Sequence, residues 1–134
     1  RAEGWAAIYE AITDAGFAVV AAHPVHAELR AASPKSAAKD PISLDAILVC
    51  RKLYKRKSNP PDMRVILRRT AQLVAKLEAG GLHISTADHF VIAASQMLIE
   101  SAAETLTFDE IKIRLEHLKD QITKRTFHEA IFTT

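Results

Sequence analysis

Apolar and polar positions divide this chain into a strand-bearing first part and a helical second part. Trp5, Ile8, Tyr9 and Ile12 recur at i, i+3, i+4 and i+7, which predicts a helix over roughly Glu3 to Ala15. Gly16 supplies the left-handed residue that ends many helices, and Phe17 follows as the apolar residue beyond it. Phe17 to Ala22 is continuously apolar and carries β-branched Val19 and Val20; Ala46 to Cys50 has the same character. Unbroken apolarity over such lengths predicts strands covered on both faces. Two strands cannot cover themselves, so further sheet, the later helices or a second copy must pack against them.

The stretch from His26 to Ser43 is rich in Ala, Ser, Pro and Lys and predicts a long loop, a length usually tied to function or disorder. A second break runs from Arg51 to Asp62, with a basic run and then Ser58-Asn59-Pro60-Pro61. Pro60 holds Asn59 extended, and Pro61 suits the first turn of a helix. The boundary implied is 1–57 for the helix–strand–loop–strand segment and 58–134 for an extension of about three helices. The first spans Asp62 to Ala79, with Ile66, Leu73 and Leu77 on one side, and ends at Gly80-Gly81. The second has Ser85 as N-cap and Asp88 at the reciprocal capping position, runs to about Ala103, and buries Phe90, Val91, Ala94, Met97 and Leu98. Thr107 and Glu110 form a capping box for the third, in which Ile111, Leu115, Leu118 and Ile122 make a narrow seam suited to a helical hairpin or bundle. Phe127 to Thr134 extends this helix or frays.

Composition bounds the class. At 49% hydrophobic and 25% charged, the chain is that of an ordinary globular domain. No apolar run approaches the roughly 20 residues needed to cross a bilayer, and no signal-peptide pattern opens the chain, so no membrane partner is expected. A single cysteine forms no internal disulfide; with nothing pointing to secretion, a cytoplasmic location is expected. Cys50, inside an apolar run, reads as a buried core thiol. The chain opens at Arg1 with a helical pattern already under way, which reads as a piece of a longer protein.

Net charge is only +2, but its distribution is uneven: Arg51, Lys52, Lys55, Arg56, Lys57, Arg64, Arg68 and Arg69 face a single acid, Asp62, across that stretch. Cations there suit DNA phosphates, and Tyr54 among them suits stacking on a base; the plainer alternative is a solvated linker.

The order of residues 5 to 52, with Gly16-Phe17, Pro24-Val25, Glu28 and then Ile47-Leu48-Val49-Cys50-Arg51-Lys52, resembles the end of class I S-adenosylmethionine-dependent methyltransferases. More narrowly, it resembles large bacterial adenine-specific DNA methyltransferases of the modification or defence kind. The likeness covers about 50 of the 134 residues. It implies an α/β remnant, the last helix and an antiparallel strand pair of a larger sheet, followed by an all-α extension. It also implies S-adenosylmethionine as the parent's cofactor and DNA as partner. The family's glycine-containing cofactor loop and its Asp-Pro-Pro-Tyr-type motif are both absent; the only Asp-Pro is Asp40-Pro41, followed by Ile42 and Ser43. No cofactor or catalytic residue is therefore assigned, and this chain alone is expected to be catalytically silent. Within that resemblance the loop from His26 to Pro41 projects at the carboxyl edge of the sheet, where Arg30, Lys35 and Lys39 are candidates for DNA phosphate contact. Glu28 and Asp45 are expected to order the strand ends.

Other chemistry finds little purchase. His23 and His26 point to different faces of a strand end, and His83, His89, His117 and His128 are scattered, so no metal site is expected. None of the serines sits in a nucleophile elbow. Two rivals to the methyltransferase reading remain: a helical module over Pro61 to Thr134 that binds a partner or a second copy, and a small nucleic-acid-binding protein working through Arg51 to Arg69.

Overall fold

The computed structural model describes residues 1–26, 42–53 and 61–132, with side chains through Arg125. Helix α1 (Ala2–Asp14) leads into strand β1 (Phe17–His26), which pairs antiparallel with β2 (Leu44–Lys52). Three helices follow: α2 (Met63–Ala79), α3 (Thr86–Glu100) and α4 (Phe108–Phe132). The described residues are thus mostly helical, with a two-stranded antiparallel sheet.

Local chemistry places the boundaries close to where the sequence puts them. Gly16 has φ 83°, which turns the chain out of α1 and into β1. Gly81, at φ 97°, closes α2: the Leu82 amide donates back to the Leu77 carbonyl at 3.1 Å, and the Gly81 amide to that of Glu78 at 3.0 Å. Asp62 caps α2 by accepting the Arg64 amide at 2.9 Å, so Pro61 lies before the helix rather than in its first turn. At α4, Thr107 and Glu110 exchange the two bonds of a capping box.

Helix α3 is the axis of the molecule. Every residue from Phe90 to Leu98 is buried, because α1, α2, α4 and both strands all pack on it. The amphipathic reading of its sequence understates this: Ile92, Ala93, Ser95 and Gln96 are buried as well. The seam of α4 behaves as the spacing predicts, with Ile111, Leu115 and Leu118 fully buried and Ile122 nearly so. One core cluster draws Ala6, Tyr9 and Val19 together with Ile66, Met97, Leu98 and the α4 seam. A second joins Leu44 to Val74, Ile84, Val91 and Ile92, with Leu73 and Leu77 of α2 packed against it.

The strands correct two expectations. Helices cover only one face of the ribbon: along β2, Leu44, Ala46 and Leu48 are buried or half-buried, while Asp45, Ile47 and Val49 between them are exposed. The period-2 alternation of a strand separates these two sets, and among the described residues the helical layer lies on one side. Cys50 is exposed rather than a core thiol. Its register partner Val19 is buried, but near the end of β2, where Arg51 and Lys52 are exposed too, the helical cover has run out. A bulge between Val19 and Ala21 inserts Val20 into the ladder, and β1 continues through Pro24 to His26.

Two polar joints lock this packing. The fully buried Asp88 carboxylate accepts the Ser43 amide at 2.8 Å, the Ser43 hydroxyl at 2.9 Å, the Leu44 amide at 3.1 Å and the Ser85 amide at 3.3 Å. It therefore ties the start of β2 to the first turn of α3. The buried Tyr9 hydroxyl bonds the carbonyls of Ser101 and Glu104 and accepts the Leu106 amide, fastening α1 to the α3–α4 connection.

Burial pushes the Asp88 carboxyl up, but the hydrogen bonds from Ser43, Ser85 and Leu44 together outweigh it and hold the group below the ordinary aspartate value. A depressed carboxyl stabilises the fold above its unfolded value of about 4 and ceases to as pH falls through the folded value, so this contribution fades below about pH 4. Asp88→Ala leaves buried donors without an acceptor and should cost about 3 kcal/mol, read as a lower urea midpoint at unchanged slope. The gap between wild type and variant should narrow on acidification below pH 4. Tyr9→Phe should cost about 1–2 kcal/mol by the same measurement.

Candidate nucleic-acid interface

The basic stretch predicted between Arg51 and Arg69 divides into a strand-end pair and a helical group. Arg51 and Lys52 end β2 opposite Ala18 and Phe17, and both are exposed. As neighbours on a strand they point to opposite faces, so they do not form one patch. The Leu53 amide then bonds the Gly16 carbonyl at 2.9 Å, extending the pairing by one residue. Tyr54, Lys55, Arg56 and Lys57 lie outside the described residues, as do Arg30, Lys35, Lys39 and Glu28.

On α2 the geometry is definite. Arg64, Arg68, Gln72 and Lys76 are exposed and follow one another at intervals of four, a ridge that winds through about 120° of the helix over about 18 Å at 1.5 Å per residue. Arg64 makes a long contact with its own cap, 3.4 Å to Asp62. The caps and helical neighbours hold the Asp62 carboxyl below its usual value, the Arg64 side chain being the foremost cause. Arg69 leans toward α3 and bonds Glu100 at 2.9 Å. It also borders a groove of about 460 Å³ between α2 and α3, lined by Arg69, Gln72, Leu73, Lys76 and Gln96. Sequence reasoning singled out Arg64, Arg68 and Arg69 and missed Gln72, Lys76 and Gln96. The four-residue spacing from Arg64 to Lys76 was legible; the meeting of Lys76 with Gln96 was not, since it depends on how α2 crosses α3.

Other candidate groups are dispersed. His23 and His26 pair with Ile47 and Leu44, on opposite faces of the ribbon. Asp45 is exposed on the uncovered face. His89 is half-buried with Nδ1 2.8 Å from the Ser85 carbonyl, and it borders a cleft of about 300 Å³ with Thr70, Glu78 and Arg125. Among the described residues no group of three acids, histidines or cysteines is placed to hold a metal ion, and no helix is long and apolar enough to cross a membrane. The chain's four glycines lie within or at the ends of α1 and α2, so the glycine-containing cofactor loop of the resemblance has no counterpart in it. No step of methyl transfer is derived from it.

Compared with known proteins, the chain matches no family model, no curated protein and no solved structure.

Because the Arg69–Glu100 pair is partly exposed, it holds the fold together only weakly. Arg69→Ala should lower stability by less than about 1 kcal/mol in urea denaturation. A loss several times larger would make this arginine a structural residue rather than one free to exchange partners.

Proposed function

We propose that this chain is the carboxyl-terminal part of an S-adenosylmethionine-dependent DNA adenine methyltransferase, in which it forms one wall of the catalytic sheet and contacts the DNA backbone. The observation that carries this reading is the uneven cover of the β1–β2 ribbon. Its inner face lies under α1 and α3, while its outer face carries Ile47 at 55% and Val49 at 38% exposure, with Ala21, His23 and Val25 paired across. Bare apolar strands with free edges are a liability in water, and an extended sheet with a second helical layer removes it. The order helix, strand, antiparallel strand agrees with the resemblance drawn from residues 5 to 52. The parent's reaction transfers the methyl group of S-adenosylmethionine to the exocyclic nitrogen of adenine. Cofactor binding and base positioning belong to segments outside this chain, which contributes fold and charge.

A second reading, a non-enzymatic helical module that associates with a partner or with its own copy, draws on the same bare face. Light scattering and methyl transfer separate the two. The full-length gene product should label adenine in unmethylated DNA from radiolabelled S-adenosylmethionine, and the 134-residue chain should not. Ile47→Asp with Val49→Asp should abolish labelling by the full-length product, yet lower the stability of the isolated chain by no more than about 1–2 kcal/mol. A full-length product that transfers no methyl group to DNA, beside an isolated chain that is a dimer and becomes a monomer with the double substitution, would replace the first reading with the second.

A further inference from the structure

We infer that the α2–α3 groove is a seat for the DNA phosphate backbone, and that Glu100 occupies the place of a phosphate in the free protein. This deepens the proposed DNA contact but rests on different residues from the strand-end cations. Arg69 and Lys76 stand nearly two helical turns apart on α2, with Gln72 between them and Gln96 on α3 across the groove. Two cations and two amides over the apolar floor of Leu73 form the donor set that takes phosphate oxygens without reading sequence. Arg68 stands one turn before Gln72 on the same helix, while Arg64, five residues before Arg69, projects from nearly the opposite side.

The choice of a nucleic acid over another anion rests on the proposed function and on charge complementarity, since Arg69 and Lys76 line the groove and Arg68 stands one turn before Gln72. Leu73 lines the groove and also packs on the cluster of Leu44, Val74 and Ile84. Leu44 begins β2 and pairs with His26, the last residue of β1. The floor of the groove is thus continuous with the core, while its polar rim at Gln96 and Glu100 lies about two to three helical turns along α3 from the Asp88 joint.

Among the described residues, Glu100 is the acid bonded to a cation of the groove, at 2.9 Å from the Arg69 guanidinium. A carboxylate presents two anionic oxygens to an arginine fork much as a phosphate does, and an exposed pair of this kind exchanges readily. DNA would take Arg69 from Glu100 and in doing so meet the repulsion of a freed carboxylate. Neutralising that acid should therefore strengthen binding, the reverse of what loss of a structural ion pair would do.

Fluorescence anisotropy of a labelled 20-base-pair DNA duplex, titrated with the full chain between 50 and 300 mM salt, tests this. Lys76→Ala and Arg69→Ala should each weaken binding roughly eightfold at 0.1 M salt and flatten the slope of log K against log salt by about 0.9. Glu100→Gln should tighten binding several-fold. Lys112→Ala, on α4 and paired with Glu3 at 3.6 Å, serves as the control for mere loss of a positive charge and should change little. The inference fails if no salt-dependent binding appears at 50 mM, if Lys112→Ala weakens binding as much as Lys76→Ala, or if Glu100→Gln weakens it. Adenine labelling by the full-length product is read separately, so a silent groove leaves the sheet reading standing, and an inactive parent leaves the groove standing.

Discussion

A single buried carboxylate decides where the strands sit. The ribbon β1–β2 is too small to hold itself in water, and its register alone does not orient it against the helices. Asp88 supplies that orientation. One oxygen receives the amides of Ser43 and Leu44, and the other receives the Ser43 hydroxyl and the Ser85 amide. The residue that caps α3 therefore also starts β2, and neither boundary can shift without leaving a buried donor unpaired. Leu44 is then carried into the cluster with Val74 and Ile92, which brings α2 to the same end of the ribbon.

Tyr9 plays the matching part at the opposite end of α3. Its hydroxyl collects two carbonyls and an amide from the connection between α3 and α4. Arg114 braces the same connection through a two-pronged bond to Glu104, at 2.7 and 3.1 Å. A helix surrounded on all sides, as α3 is, can slide along its axis with little change in apolar burial. Directional polar bonds at both of its ends remove that freedom.

These features differ in how far the sequence discloses them. Helix ends set by local chemistry were legible, because Gly16, Gly81, Ser85 with Asp88, and Thr107 with Glu110 act on neighbours within five residues. The α4 seam was legible for the same reason: its period is a property of the helix itself. What the sequence does not carry is which face of an apolar segment meets which neighbour. Ile47 and Leu48 are equally apolar, yet one faces solvent and the other the helices; Cys50 follows the same logic to an exposed position. Asp88 was readable as a capping residue and Tyr9 as one position of an apolar stripe. Their long-range bonds span 44 to 97 positions and appear only when the helices are in place.

The distribution of charge carries the functional argument further than the net value of +2 does. Acids sit where they finish structure: Asp62, Asp88 and Glu110 cap helices, and Glu104 braces a turn. The cations of α2 have no comparable duty. Arg64 holds its cap at 3.4 Å in the open, Arg68 is exposed, and Arg69 reaches across to Glu100 through a bond that solvent screens. Arg69, Gln72 and Lys76 line one groove together with Gln96, an arrangement that solubility alone does not require. A backbone-tracking surface needs that spacing, and it needs the side chains held in place before the ligand arrives. In the proposed groove the Glu100 carboxylate is that support: it holds Arg69 at 2.9 Å in the free protein.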